Sequence, residues 1–203
     1  MKFGRVLSPL LFIAFVSSSN AEELASDLDA ATLIPQKKTP LGLYMSSPKA
    51  FRMISEDPEI LFIDVRDPLE VAMAGHPMAI DKIVPIQVQS DTFDAELNEF
   101  ALVPNEHFLK QMKLALAERG KSKHDLIIVT CGSGYRSAEA VRKLSAAGYT
   151  NVWQIPDGYA GDEKRGMNLE NAWQNAGLPW SEELIAETPW VKAMSAKGDT
   201  TAH

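Results

Sequence analysis

The sequence predicts an α/β domain in which a central, mostly parallel sheet is covered by helices on both faces. Short apolar runs rich in β-branched residues, at 61–65, 126–130 and 151–155, alternate with segments of helical period. Such runs are typical of strands buried on both faces, and their alternation with helices indicates parallel pairing. The 203 residues, 45% hydrophobic and 23% charged, suit one globular domain with additional terminal segments.

The two ends of the chain differ from its central part. Lys2 and Arg5 precede a short apolar run, LLFIAFV at 10–16, and small residues stand at 19–21, which is the pattern of a cleaved signal peptide. The run is too short to span a bilayer, so we expect an exported, periplasmic protein with no membrane contact after cleavage. The predicted order is signal peptide, N-terminal arm, folded domain and C-terminal tail, at 1–21, 22–40, 41–180 and 181–203.

The first half of the domain is predicted to hold two helices around one strand. A serine and a proline at 47–48 begin a short helix that runs to Ile54, because serine caps a helix and proline fits its first turn. The run LFIDV at 61–65 forms a buried strand. The segment DPLE at 67–70 is a capping-box pattern that begins the next helix, and Gly75 ends it.

The second half repeats the alternation after a polar interruption. Apolar residues recur at helical spacing after Asn105, and another amphipathic helix directly follows Cys131. A proline weakens the strand expected in the short run IVPI, and the polar segment 87–104 has no assigned role. In chain order we predict a strand at 83–86, a helix from 105 to 120, a strand at 126–130, a helix from 132 to 148 and a strand at 151–155.

Composition and charge exclude several classes of function. A formal net charge of -7 argues against a nucleic-acid-binding surface. With one cysteine the chain can form no internal disulfide and no cysteine-rich metal site, and its histidines show no metal-ligand spacing. A lone thiol in an exported protein is a liability unless it is buried or used, so Cys131 is the first candidate for chemistry. We expect neither a metal nor an organic cofactor.

The segment CGSGYR at 131–136 joins a predicted buried strand to a helix. A parallel strand carries Cys131 to the carboxyl edge of the sheet, where open α/β folds bind ligands. Gly132 and Gly134 allow the loop to curl so that successive N–H groups form an anion-binding nest, and the helix adds its positive N-terminal end. These features favour a thiolate at Cys131 and would equally stabilise the anionic terminal sulfur of a persulfide.

Other polar side chains near this edge are assigned different roles. Arg136 either binds an anionic donor or locks the loop through a carboxylate, and both roles remain open. Asp64 and Arg66 organise the edge of the sheet, since no proton has to be moved by them. His76 is interpreted as a turn residue rather than as a general base.

The strand, loop and helix around Cys131 resemble the active-site region of the rhodanese family, whose loop reads Cys-x-x-Gly-x-Arg, often followed by Ser or Thr. The residues DVR, E and GH in the first half, and DGY after the last strand, are similar to two further segments of that family. The matching residues are Asp64, Val65, Arg66, Glu70, Gly75, His76, Cys131, Gly134, Arg136, Ser137, Asp157, Gly158 and Tyr159. The sequence departs from the family pattern at 77–80 and at Asp157, which concerns the pocket rim and the choice of acceptor.

The resemblance implies a single rhodanese-like domain with sulfurtransferase activity. Such a protein moves sulfane sulfur from a small donor such as thiosulfate to cyanide or a thiol through a Cys131 persulfide, and a partner protein can be the acceptor. Cys131 is therefore the predicted catalytic residue. The residues assigned to substrate binding are Gly132, Ser133, Gly134, Tyr135 and Arg136, and those assigned to support are Asp64, Arg66 and Ser137.

Three alternatives use the same cysteine. Cysteine phosphatases and arsenate-reducing enzymes resemble Cys-x5-Arg, whereas only four residues separate Cys131 from Arg136. The shorter loop makes a tighter ring, which suits a terminal sulfur better than a tetrahedral phosphate. A non-catalytic persulfide carrier and a redox-sensing, partner-binding module remain open. The enzyme hypothesis requires the main-chain amides of the loop to face the sulfur of Cys131. It also requires solvent to reach Cys131.

Overall fold

The computed structural model describes residues 24–96, 98–161 and 170–184. The predicted signal peptide and most of the predicted C-terminal tail lie outside the described residues. The helices are α1 (Ser47–Glu56), α2 (Pro68–Ala74), α3 (Phe108–Glu118) and α4 (Tyr135–Ala146). The strands are β1 (Leu61–Asp64), β2 (His76–Pro77), β3 (Lys82–Ile83), β4 (Gln87–Asp94), β5 (Glu99–Pro104), β6 (Ile127–Thr130), β7 (Val152–Gln154) and β8 (Trp180–Ser181).

The central sheet has four strands in the order β3-β1-β6-β7, and each neighbouring pair is parallel. β1 and β6 are buried along their whole length, which explains their unbroken apolar sequences. The predicted α/β class with a central parallel sheet is confirmed. Asp64 is the last residue of β1, and Cys131 directly follows β6. Because the two strands are parallel, both residues lie at the carboxyl edge of the sheet.

Helices cover both faces of this sheet. Ile127 and Val129 pack on the face that also carries buried side chains of α3 and α4. Ile128 lies between them in sequence and packs on the opposite face, with buried residues of α1 and α2 and with Trp173. This alternation follows from the period of two in a strand. Two apolar cores therefore hold the sheet and fix the position of its carboxyl edge.

Two helix starts differ in detail from the predictions. The cap of α1 is Ser46 rather than Ser47, and its hydroxyl accepts a hydrogen bond from the Lys49 amide at 3.3 Å. Asp67 caps α2, with Oδ1 accepting from the Leu69 amide at 2.8 Å. The other half of the predicted capping box does not form, because the Glu70 carboxylate binds Arg136 instead.

The polar segment 87–104, which has no role in the sequence analysis, contains an antiparallel hairpin of β4 and β5. The hairpin pairs outside the central sheet and has a register shift between Gln89 and Phe93. The predicted strand at 83–86 is shortened to β3 because Pro85 has no N–H to donate. A second small sheet pairs β2 with β8, so the predicted boundary at 180 falls inside a strand. Within the described residues, no helix combines the length and hydrophobicity needed to cross a bilayer.

Candidate active site

Cys131 lies directly after β6, and α4 begins four residues later. Its Sγ accepts a hydrogen bond from the Gly134 amide at 3.0 Å. The Ser137 hydroxyl, in the first turn of α4, lies 3.7 Å from Sγ and donates to the Gly134 carbonyl at 3.0 Å. The loop thus curls back on the cysteine, and the sulfur faces the first turn of α4.

The carbonyl groups at the start of the loop are bound on its other side. The amide of Tyr159 donates to the Cys131 carbonyl at 2.7 Å, and the amide of Ala160 donates to the Gly132 carbonyl at 2.9 Å. In a trans peptide the C=O and the following N–H point in opposite directions. The amides of Gly132 and Ser133 therefore point away from the turn at 159–160. That turn thus fixes the orientation of these two peptide groups of the loop.

Gly134 occupies a position that only glycine fits. Its φ is 89°, in the left-handed region, and a Cβ built there would lie 1.7 Å from the carbonyl oxygen of Pro156. The Gln154 side chain, at the end of β7, donates through Nε2 to the Gly134 carbonyl at 2.8 Å. Gln154 is not among the predicted site residues, although an amide within the apolar run NVWQI is a signal for a buried polar contact.

Asp64 and Arg66 form a buried ion pair beside the loop. Arg66 is 1% exposed, and its Nη2 donates to Asp64 Oδ2 at 2.7 Å and to the Gly75 carbonyl at 2.9 Å. Its guanidinium lies 4.5 Å from the centre of the Tyr159 ring. Burial alone would lower the pKa of Arg66, but the charge and hydrogen bonds of Asp64 raise it overall. Burial raises the pKa of Tyr159 to about 12, so the ring facing this cation stays neutral.

Arg136 binds Glu70 in a two-pronged ion pair that spans the loop. Arg136 Nη2 donates to Glu70 Oε1 at 2.7 Å, and Nη1 donates to Oε2. A Cβ built on Gly132 would lie 3.3 Å from Glu70 Oε1 and 3.4 Å from Arg136 Nη2, so the pair lies directly against that glycine. Of the two roles left open for Arg136, the structure shows the carboxylate contact. Glu70 belongs to the segment that resembles the rhodanese family but is not among the predicted site residues.

The anionic neighbours of Arg66 and Arg136 raise the pKa of both guanidinium groups. Burial alone would lower the pKa of Arg136, yet the hydrogen bonds and charge of Glu70 raise it, and the charge of Cys131 adds to this effect. The charge of Cys131 also contributes to the raised pKa of Arg66. Both guanidinium groups therefore keep their positive charge beside the active-site loop.

Cys131 itself is 1% exposed, which differs from the expectation of a residue that solvent reaches. Cys131 packs in the apolar core on the α3 and α4 face of the sheet, and the loop curls back on its sulfur. The side chains of Arg136 and Glu70 are 18% and 33% exposed, so the pair lies at the protein surface. A donor can therefore reach Sγ only when atoms that surround the buried sulfur move.

The remaining predicted residues lie farther from the sulfur or face elsewhere. The Tyr135 ring faces the N-terminal arm, where Lys37 Nζ lies 5.0 Å from its centre. Ser133 is half-buried in the loop. His76 lies in strand β2, paired with Ser181, rather than in the predicted turn; it is 2% exposed, and its Nδ1 lies 3.0 Å from the Pro77 carbonyl oxygen. In the part of the chain that the structure describes, no cluster of His, Cys, Asp and Glu is arranged to hold a metal ion.

The chain is similar to one protein family, to several proteins of known sequence and to solved structures. The model of the Rhodanese-like domain family matches residues 47–164. An uncharacterized protein of Rickettsia conorii is 28% identical over 138 residues, which cover 66% of this chain and 93% of the relative. Thiosulfate:glutathione sulfurtransferase of Saccharomyces cerevisiae is 33% identical over 100 residues, covering 49% of this chain and 62% of the relative. A crystal structure from M. tuberculosis covers 69% of this chain and 97% of its own, with 23% identity and a TM-score of 0.49.

Proposed function

Because the chain belongs to the rhodanese-like domain family, we propose that it is a sulfurtransferase that carries sulfur as a persulfide on Cys131. The family and the yeast relative support sulfurtransferase-type activity in general. The observation that carries the finer proposal is the surroundings of Sγ. The Gly134 amide donates to the sulfur, and the two-pronged Glu70–Arg136 pair lies against the neighbouring Gly132.

In the first proposed step, the Cys131 thiolate attacks the sulfane sulfur of thiosulfate. A bond forms between Sγ and this sulfur, the S–S bond of the donor breaks, and sulfite leaves with its electron pair. The dianionic donor and the thiolate give a persulfide anion and a sulfite dianion, so charge and atoms balance. Inward main-chain amides stabilise the charge as it moves to the terminal sulfur.

In the second step, cyanide or a thiolate attacks the terminal sulfur of the persulfide. The new bond forms, the Sγ–S bond breaks, and Sγ keeps the electron pair as the original thiolate. Thiocyanate or an organic persulfide leaves. No oxidant or reductant is consumed, because the sulfane sulfur keeps its oxidation level throughout the exchange.

Access of the donor is proposed to follow from competition for Arg136. Arg136 lines a surface cleft with Lys38 and Arg142, which gives an anion a positively charged approach. A dianionic donor can replace the Glu70 carboxylate on Arg136, because both present oxygen pairs to the guanidinium. Separation of Glu70 from Arg136 then removes the side chains that lie against Gly132.

The proposal is tested by steady-state turnover of the purified protein with thiosulfate and cyanide. We expect equal amounts of sulfite and thiocyanate, with rates that saturate in both substrates as in a double-displacement reaction. A phosphate ester supplied under the same conditions should remain intact. Hydrolysis of the ester together with absent thiocyanate would overturn the proposal in favour of a cysteine phosphatase.

A persulfide carrier is the second candidate, favoured by the burial of Cys131. A carrier protects its sulfur from solvent and releases it to one partner. It would load from thiosulfate but release sulfur to free cyanide far more slowly than it loads. The same turnover experiment separates the two, since an enzyme returns to the thiolate state many times within the assay.

A further inference from the structure

An apolar groove lies between helix α2 and the β4–β5 hairpin. Its volume is about 370 Å³, which is within the range of pockets for small organic ligands. Leu69, Met73 and Ala74 form the helical wall, and Phe100 and Leu102 form the wall on β5. The segment that builds the second wall is the one with no role in the central sheet.

Hydrogen bonds fix the two walls relative to each other. Asp67 Oδ1 accepts from the Leu69 amide at 2.8 Å, while Oδ2 accepts from the Gln89 amide in β4 at 3.1 Å. One carboxylate thus joins the start of α2 to the hairpin. Gln87 Nε2 donates to Glu139 on α4 at 3.0 Å, which holds the hairpin beside the helix of the active-site loop. The groove is therefore a formed feature of the fold.

The side chains of the groove are large, apolar and unusually exposed. Met73 is 79% exposed and Leu69 is 52% exposed on the helix, and Phe100 and Leu102 are 46% and 43% exposed on the strand. Phe100 and Leu102 are two residues apart on β5, so they share the face that the groove uses. A contiguous exposed apolar surface of this kind costs free energy unless a ligand covers it.

The groove is continuous with the active site through Glu70. This residue lines the groove and also binds Arg136 across the loop, against Gly132. A molecule lying in the groove therefore has one end at the ion pair that lies against Gly132, the residue after Cys131. The polar side chains of the groove are Asp67, Glu70 and Gln89, so its charge is acidic.

We propose that this groove binds the organic group of the sulfur acceptor, a small thiol with an uncharged, apolar chain. This inference rests on the proposed function and names the acceptor of its second step. Cyanide cannot use a 370 Å³ apolar groove, whereas an aliphatic or aromatic group buries surface against Met73 and Leu102. The carboxylates disfavour acceptors with their own negative charge. The acceptor thiolate bonds to the terminal sulfur, the Sγ–S bond breaks, and Cys131 keeps the electron pair.

The test compares three acceptors in thiosulfate turnover: phenylmethanethiol, the charged thiol glutathione, and cyanide. We expect KM for phenylmethanethiol to be at least about tenfold below that for glutathione. Leu102→Gln should raise KM for phenylmethanethiol about fivefold, because a half-buried apolar contact is lost, with kcat and the KM for cyanide unchanged. Met73→Gln, on the opposite wall, should act in the same direction.

Val103→Gln is the matched control. Val103 is 41% exposed, against 43% for Leu102, but the next residue along a strand faces the other side and Val103 does not line the groove. Equal KM values for the Leu102 and Val103 variants would overturn the inference. A wild-type protein that uses cyanide but neither phenylmethanethiol nor glutathione would also overturn the inference. The same holds for a protein that transfers sulfur to a protein thiol, such as reduced thioredoxin, but to neither small thiol. In each case thiocyanate formation leaves the proposed function intact, whereas its absence removes the proposed function itself.

Discussion

Replacing Cys131 by serine is expected to lower thiosulfate:cyanide turnover by at least about 1,000-fold. A serine hydroxyl cannot form the sulfur–sulfur bond of the carrier, and it does not ionise at neutral pH. The chain has one cysteine, so no second thiol can take over its role. The measurement is thiocyanate release at saturating substrates.

The same variant should keep its fold. Serine is close in shape to cysteine, and its oxygen can accept the Gly134 amide that now binds Sγ. We expect the thermal unfolding midpoint to stay within about 4 °C of wild type, since about 1 kcal/mol shifts a domain of this size by about 2–4 °C. A folded Cys131→Ser protein with substantial turnover would contradict the role given to this residue.

Gly134→Ala is expected to have the largest effect on stability. Its φ of 89° is unfavourable for a residue with a Cβ, and that Cβ would lie 1.7 Å from the Pro156 carbonyl oxygen. Strain and overpacking together cost about 2–5 kcal/mol, which lowers the unfolding midpoint by about 4–20 °C. Because the loop must move to relieve the clash, turnover should also fall about 100-fold.

Gly148→Ala separates the strain from the clash. Gly148 follows α4 with a φ of 85°, but nothing lies within 4 Å of a Cβ built there. We expect a loss of about 1–2 kcal/mol from backbone strain and unchanged turnover. A Gly134→Ala protein that fails to fold agrees with the expected clash. If both alanine variants unfold at the same temperature and keep full turnover, the close contact with Pro156 is wrong.

The parts of the fold that follow from local sequence were predictable. The strands β1, β6 and β7 are continuous apolar runs because both faces are buried, and the helices α1, α2 and α4 begin within a few residues of the predicted starts. The order of these elements placed Asp64 and Cys131 at one edge of the sheet. Parallel pairing alone is sufficient for this result, and it requires no knowledge of side-chain contacts.

The contacts between distant segments were not predictable from these patterns. Glu70 stands in a capping-box pattern, but its carboxylate binds Arg136, 66 residues away, because a guanidinium offers two charged hydrogen bonds where a backbone amide offers one neutral one. The β4–β5 hairpin was not predicted. Within the described residues its two strands pair only with each other and are largely exposed, so their sequence is polar and mixed and lacks a strand pattern. The burial of Cys131 likewise reflects its packing in the apolar core with residues of α3 and α4.

The most direct test is the intact mass of the purified protein after exposure to thiosulfate and removal of the excess. We predict that each chain gains one sulfur atom on Cys131, and that treatment with cyanide restores the original mass. A protein that makes thiocyanate while its mass never changes, or that gains sulfur after serine replaces the thiol, would contradict persulfide transfer.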